Sequence, residues 1–192
     1  MSRQYVQLWS WFNDFGRQAR AAHDDERIRL YQLNNTGFNA REKNPEHALA
    51  LYREGAALAE RLNEPWMVLF YEHWIASMLI FYLDRYEEGQ ALATRLVTKA
   101  SQEAYLNCPV RARVYTTLVA AYLDIDCLSY LEEIRAMIDT LEQHIPLDED
   151  THQRLFAYRA YLWMQERDYD KAQVDALKYL EISASSNFRL CL

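Results

Sequence analysis

Arg85-Tyr86-Glu87-Glu88-Gly89-Gln90-Ala91-Leu92 and Asp168-Tyr169-Asp170-Lys171-Ala172 carry one short phrase, a charged residue followed by Tyr-x-x and a small residue. Two other segments take equivalent places: Asn44-Pro45-Glu46-His47-Ala48-Leu49-Ala50-Leu51 and Tyr130-Leu131. With Ala48, Gly89, Leu131 and Ala172 as marks, successive spacings are 41, 42 and 41 residues. A period of that length holds one pair of helices, and pairs stacked in register bury their apolar faces against one another.

Outward from these marks, apolar or small residues recur every three to four positions, as in Ala48, Leu51, Tyr52, Gly55, Leu58, Ala59 and Leu62, or Leu131, Ile134, Ile138, Leu141 and Ile145. That is the spacing of one helical face. Pro45, Pro65, Pro109 and Pro146 stand at breaks in the pattern, and Asn44-Pro45 and Cys108-Pro109 read as helix starts. The pattern predicts about nine helices, over 3–22, 27–42, 45–62, 65–83, 86–104, 109–124, 128–144, 149–166 and 169–185. Short connections predict antiparallel neighbours.

Composition agrees. Only 4 Gly and 4 Pro in 192 residues leave too few turns for a β-sandwich or barrel, and 51% hydrophobic residues exclude a disordered chain. A net charge of -7 has the wrong sign for holding a phosphate backbone, so nucleic acid is not an expected partner. Cys108, Cys127 and Cys191 are odd in number and far apart, which fits a reducing cytoplasm. Met1-Ser2-Arg3-Gln4-Tyr5 has none of the features of a signal peptide. Trp66 to Leu83 is apolar enough to raise a membrane span, but Glu72 and His73 near its middle argue for a helix buried in protein. Gly37, Gly55 and Gly89 lie inside predicted helices, where each costs about 1 kcal/mol relative to Ala. Close helix crossings would offset that loss.

The Tyr-x-x-small phrase opening a second helix, after an aromatic or apolar residue late in the first, resembles the tetratricopeptide repeats, in a long variety like those of bacterial regulators. The family period is 34 residues, shorter than the spacing here. The resemblance implies a right-handed α-solenoid: residues 1–26 form an N-terminal helix or half-repeat cap, and hairpins follow at 27–64, 65–107, 108–147 and 148–192 in one continuous domain. It also implies a concave groove lined by one stripe of each first helix. By register that stripe is Leu33, Gly37 and Arg41, then Tyr71, Trp74, Met78 and Tyr82, then Arg113, Thr116 and Ala120, then Arg154, Ala157 and Tyr161. Aromatics and methionine flanked by arginines suit a peptide or helix of acidic character.

Chemistry is sparse. Glu149-Asp150-Thr151-His152 has metal-ligand spacing, but a di-iron bundle needs a second copy, so Asp148, Glu149 and Asp150 are expected to complement a helix N-terminus after Pro146. No HExxH, Walker loop, GxSxG or GxGxxG occurs. Cys127 has no neighbouring base in sequence. The expectation is a cytoplasmic, non-catalytic scaffold or adaptor for another protein or peptide, without cofactor, metal or membrane. The alternatives are a ligand- or peptide-sensing regulatory module and a helical-bundle metal protein. The apolar tail Asn187-Phe188-Arg189-Leu190-Cys191-Leu192 adds the expectation of self-association through an uncapped last hairpin.

Overall fold

The computed structural model describes residues 6–190, with side chains to residue 184; Cys191 and the other residues at the two ends, including the apolar tail's side chains, lie outside the described residues. The described chain is all-helical, with 83% helix and no strand. The helices are α1 (Leu8–Ala21), α2 (Asp25–Ala40), α3 (Pro45–Arg61), α4 (Pro65–Phe81), α5 (Tyr86–Ala100), α6 (Arg111–Asp126), α7 (Leu131–His144), α8 (Glu149–Gln165) and α9 (Tyr169–Leu190). No residue separates α6 from the 3-10 turn Cys127–Tyr130, or that turn from α7. Counted as one continuous helical stretch, α6, the turn and α7 bring the helices to about eight, where the periodicity predicts nine. The break there is made by Asp126, whose carboxylate accepts from the Ser129 amide at 3.3 Å and the Ser129 hydroxyl at 2.5 Å. Such an Asx turn needs neither Gly nor Pro, the punctuation on which the sequence reading relied.

Starts and stops have local causes. Asn44 accepts from the His47 amide at 3.2 Å with Pro45 at the first helical position. Asp24 and Asp148 cap α2 and α8 in the same way, accepting from the Arg27 and Thr151 amides at 3.0 and 3.2 Å. The expected start at Pro109 falls two residues later, at Arg111, after a turn closed by the Arg111 amide on the Cys108 carbonyl at 3.0 Å. His23, Asn63 and Arg167 end α1, α3 and α8 at positive φ, 53°, 54° and 62°, each followed by an acidic residue whose amide bonds back to the last turn.

The described residues form two compact units, Gln7–Ala121, and Tyr122 onward with Val6. In the Gln7–Ala121 unit, α2 packs on α3, α3 on α4 and α4 on α5. Each close approach is made at a glycine. A Cβ on Gly16 would stand 2.5 Å from the Tyr31 ring of α2, and one on Gly37 would stand 2.9 Å from the Tyr52 ring of α3. A Cβ on Gly55 would stand closer still to the Tyr71 ring of α4, and one on Gly89 of α5 would stand 2.5 Å from the Ile80 side chain of the same helix α4. α4 is buried on most of its circumference, which accounts for its apolar sequence; its Glu72 pairs with Lys99 at 2.6 Å. No described helix is long and apolar enough to cross a membrane.

In the other unit, α8 packs on α9. Asp175 of α9 is 1% exposed and accepts from Arg159 at 2.7 and 2.9 Å and from the Trp163 indole at 3.0 Å. Arg159 also donates to Glu142 of α7, so one guanidinium ties three helices.

The repeat marks separate on inspection. Ala48, Gly89 and Ala172 are each the fourth residue of their helix, whereas Leu131 is the first of α7, where Ile134 is the fourth and is fully buried. With Ile134 as the mark the spacings become 41, 45 and 38. The evenness at Leu131 reflects the choice of residue.

Substitution at the glycines is expected to destabilise despite better helix propensity. Gly55→Ala gains about 1 kcal/mol of propensity, but Tyr71 is fully buried with its hydroxyl donated to the Leu30 carbonyl, so its ring cannot yield. A net loss of about 1–3 kcal/mol is expected, read as a lower urea midpoint. Gly89→Leu should lower the melting temperature further. An unchanged curve for both would reject the packing.

Candidate partner-binding site

The α2 sequence places Asn34, Phe38 and Arg41 on successive turns of one face. α3 brings Tyr52 to this face through Gly37, and α4 brings Phe70 and Trp74, one turn apart. Trp74 stacks on Tyr52 with centroids 5.6 Å apart and planes 11° apart, and meets Phe38 edge-on at 5.6 Å. The Arg41 guanidinium lies 3.7 Å from the Phe38 ring centroid, donates to the Phe38 carbonyl at 2.5 Å and pairs with Glu42 at 3.0 Å. Its charge acts on Tyr52, as does nearby Tyr82.

α1 covers the adjoining rings. Phe12 is sandwiched between Tyr31 of α2 and Phe70 of α4, stacked at 4.9 Å from each. Trp9 meets Phe38 at 6.0 Å and Phe70 at 6.4 Å, and the Arg113 guanidinium of α6 lies 5.6 Å from its ring. Through these rings α1 reaches α2, α4 and α6.

Burial governs the electrostatics. It pushes the Tyr52 phenol well above its usual range, with the Arg41 charge acting in the opposite direction. Burial does the same to Tyr71. The Tyr52 hydroxyl, the Trp74 indole N–H and the Asn34 carbonyl oxygen are buried without a hydrogen-bond partner, an arrangement that costs about 1–3 kcal/mol per group.

Of the residues expected on the groove, Arg41, Trp74 and Tyr82 come together around Tyr52, and Arg113 stands over Trp9. Tyr71 and Met78 are fully buried and Thr116 is 5% exposed, so these three belong to the core. The physical reason is α4, which is enclosed on both flanks and has no broad free stripe. Arg154 and Tyr161 lie in the other unit, both exposed; Arg154 pairs with Asp150 at 3.1 Å. Sequence reasoning missed Phe38, half-buried beside Arg41, as a site residue; Tyr52 and Phe70 are fully buried and form the floor beneath it. Phe38 had a usable signal, one turn before Arg41 on the expected stripe.

The other chemistry is structural. Asp148 accepts from the Thr151 amide and hydroxyl, as expected of the acidic run, and His152 meets Phe156 at 5.1 Å. No group of three His, Cys, Asp or Glu side chains suited to a metal occurs among the described residues. Comparison with known protein families, with curated proteins and with solved structures finds no match for this chain.

Both described cysteines are buried. Burial raises the Cys127 thiol, with Asp126 adding to the effect, and pushes Cys108 up to about 12. The protonated thiol is a poor nucleophile. Cys108 is therefore expected to resist a disulfide reagent at pH 8 in the folded protein and to react at once in denaturant. Rapid labelling of Cys108 in the native state would contradict its placement.

Proposed function

We propose that this chain is a TPR-like right-handed α-solenoid of antiparallel hairpins that recognises another protein or a peptide in the cytoplasm and has no catalytic activity of its own. The observation that carries the reading is the docking of α1. Rings from α2 and α4 and an arginine from α6 already hold one amphipathic helix through aromatic insertion, a recurring mode of peptide recognition. Arg41 and Arg113 flank these rings and favour an acidic partner.

A ligand-sensing regulatory module is the second reading. The Tyr52 hydroxyl and Trp74 N–H, two donors buried without a partner, are the observation that favours it. Self-association through the last hairpin is a further part of the proposal. Val174, Leu177 and Leu180 of α9 are 52%, 53% and 59% exposed, an apolar cluster of the kind that marks contact surfaces.

A panel of acidic amphipathic peptides titrated against the full chain, followed by tryptophan fluorescence, tests the recognition. Micromolar binding is expected, weakening with salt and about 5- to 30-fold weaker in Arg41→Ala or Arg113→Ala. No binding at millimolar peptide, or equal binding by both variants, would overturn it. For self-association, sedimentation should give a concentration-dependent dimer that Leu177→Glu converts to monomer; a monomer at all concentrations removes that part.

A further inference from the structure

A cavity of about 240 Å3 opens where α3 ends and α4 begins, and Glu60, Glu64, Lys99 and Tyr105 are among the residues that line it. It belongs to the Gln7–Ala121 unit and lies at the far end of α2 from Arg41. Arg27, which reaches the cavity's Glu64, stands 14 positions before Arg41, about 21 Å along a helix. Two local features gather these groups. Asn63 takes φ 54° and turns the chain between α3 and α4, and the Trp66 indole donates to the Ala104 carbonyl at 3.0 Å, holding the 3-10 turn Glu103–Tyr105 beside α4.

The polar groups here have unused capacity, and most of it is acceptor capacity. Glu64 Oε1 takes both bonds from Arg27, at 2.9 and 2.7 Å, while Oε2 takes none; Arg27 is also shared with Asp24 at 2.6 Å. The Glu60 carboxylate is exposed and makes no ion pair or hydrogen bond among the described residues. Lys99, the cation on the wall, is already matched by Glu72 at 2.6 Å. The wall therefore carries an excess of negative charge. Tyr105 adds an independent observation: it is 8% exposed and its hydroxyl makes no hydrogen bond, yet the oxygen is not sealed from open space. Pro65 and the buried Val68 supply an apolar side to the same cavity.

We propose that this cavity binds a primary ammonium group on an alkyl stem, with Glu60, Glu64 Oε2 and the Tyr105 hydroxyl as its acceptors and Pro65 and Val68 against the stem. An ammonium has three donors and no acceptor, the complement of a wall whose free groups are mainly acceptors. A carboxylate would instead meet Glu60 and Glu64 with like charge. The volume of about 240 Å3 falls below the roughly 300–1,000 Å3 that encloses a drug-sized molecule, which suits one short chain and excludes a bulky cofactor. Small free amines and the lysine side chain of a partner protein share this chemistry. The site stands apart from the Arg41 face, so failure of either proposal leaves the other standing.

The test uses the full chain, butylammonium chloride as the probe and backbone amide chemical shifts as the readout. Shifts centred on residues 60–68, 99 and 105 are expected, saturating in the millimolar range and weakening with salt. Sodium butyrate and 1-butanol, which share the stem, should bind at least fivefold more weakly. Glu60→Gln, at an exposed position, should weaken the probe about fivefold. Tyr105→Phe keeps the ring and removes a hydroxyl with no protein partner to lose, so it should leave the melting curve unchanged while weakening the probe about threefold. No shift of these amides at 50 mM butylammonium, equally tight butyrate or butanol, or unaltered affinity in both variants overturns the proposal. Acetyl-Gly-Lys-Gly-amide identifies the source: binding tenfold tighter than butylammonium assigns the site to a lysine of a partner protein, and equal or weaker binding assigns it to a free amine.

Discussion

The absence of a Cβ at four helix-interior positions lets one helix approach the next closely enough to seat a side chain on its backbone. Gly16 receives Tyr31, Gly37 receives Tyr52, Gly55 receives Tyr71, and Gly89 receives Ile80. These are all the glycines of the chain. Their use inside helices leaves none for the helix ends, where left-handed backbone is usually given to glycine. His23, Asn63, Asp84 and Arg167 take positive φ there instead. The molecule accepts a cost at helix ends, and a loss of propensity within helices, for close packing in the Gln7–Ala121 unit.

The other unit is joined by different means. It has no glycine, and its central contact is polar: Asp175 is buried against the Arg159 guanidinium and the Trp163 indole, with Arg159 reaching on to Glu142. Removing one member of such a pair strands a buried charge, so the contact specifies one arrangement of α7, α8 and α9 strongly even where its net contribution is small. α9 is consequently held along a narrow line, Ala172 and Asp175, while Val174, Leu177 and Leu180 remain exposed.

Much of the helical layout is legible in the residues, because apolar spacing, Asn44-Pro45 and the acidic run at Asp148 act locally. The helix-interior glycines are legible too, since their cost demands compensation. What fails is what depends on long-range partners. The mark at Leu131 follows a spacing that α7 does not share, because the start of α7 is set by a side-chain turn at Asp126. Tyr71 and Met78 read as surface only while α4 is assumed to have a free face. Trp9 and Phe12 stand out as an aromatic cluster, but nothing local says that their partners lie on α2, α4 and α6.

The residues that seat α1 and those that set helix spacing are partly the same. Tyr31 fills the space at Gly16 and stacks on Phe12. Tyr52 fills the space at Gly37 and stacks on Trp74, with its hydroxyl buried and unpartnered. A ring pinned against a glycine backbone cannot adjust to an occupant without moving the helix it presses on, since close-packed interiors transmit displacement instead of absorbing it. The position of the Tyr52 ring and the α2–α3 approach are thereby one mechanical variable. Any displacement of the Tyr52 ring is felt at Gly37, and any displacement of the Tyr31 ring at the α1–α2 crossing.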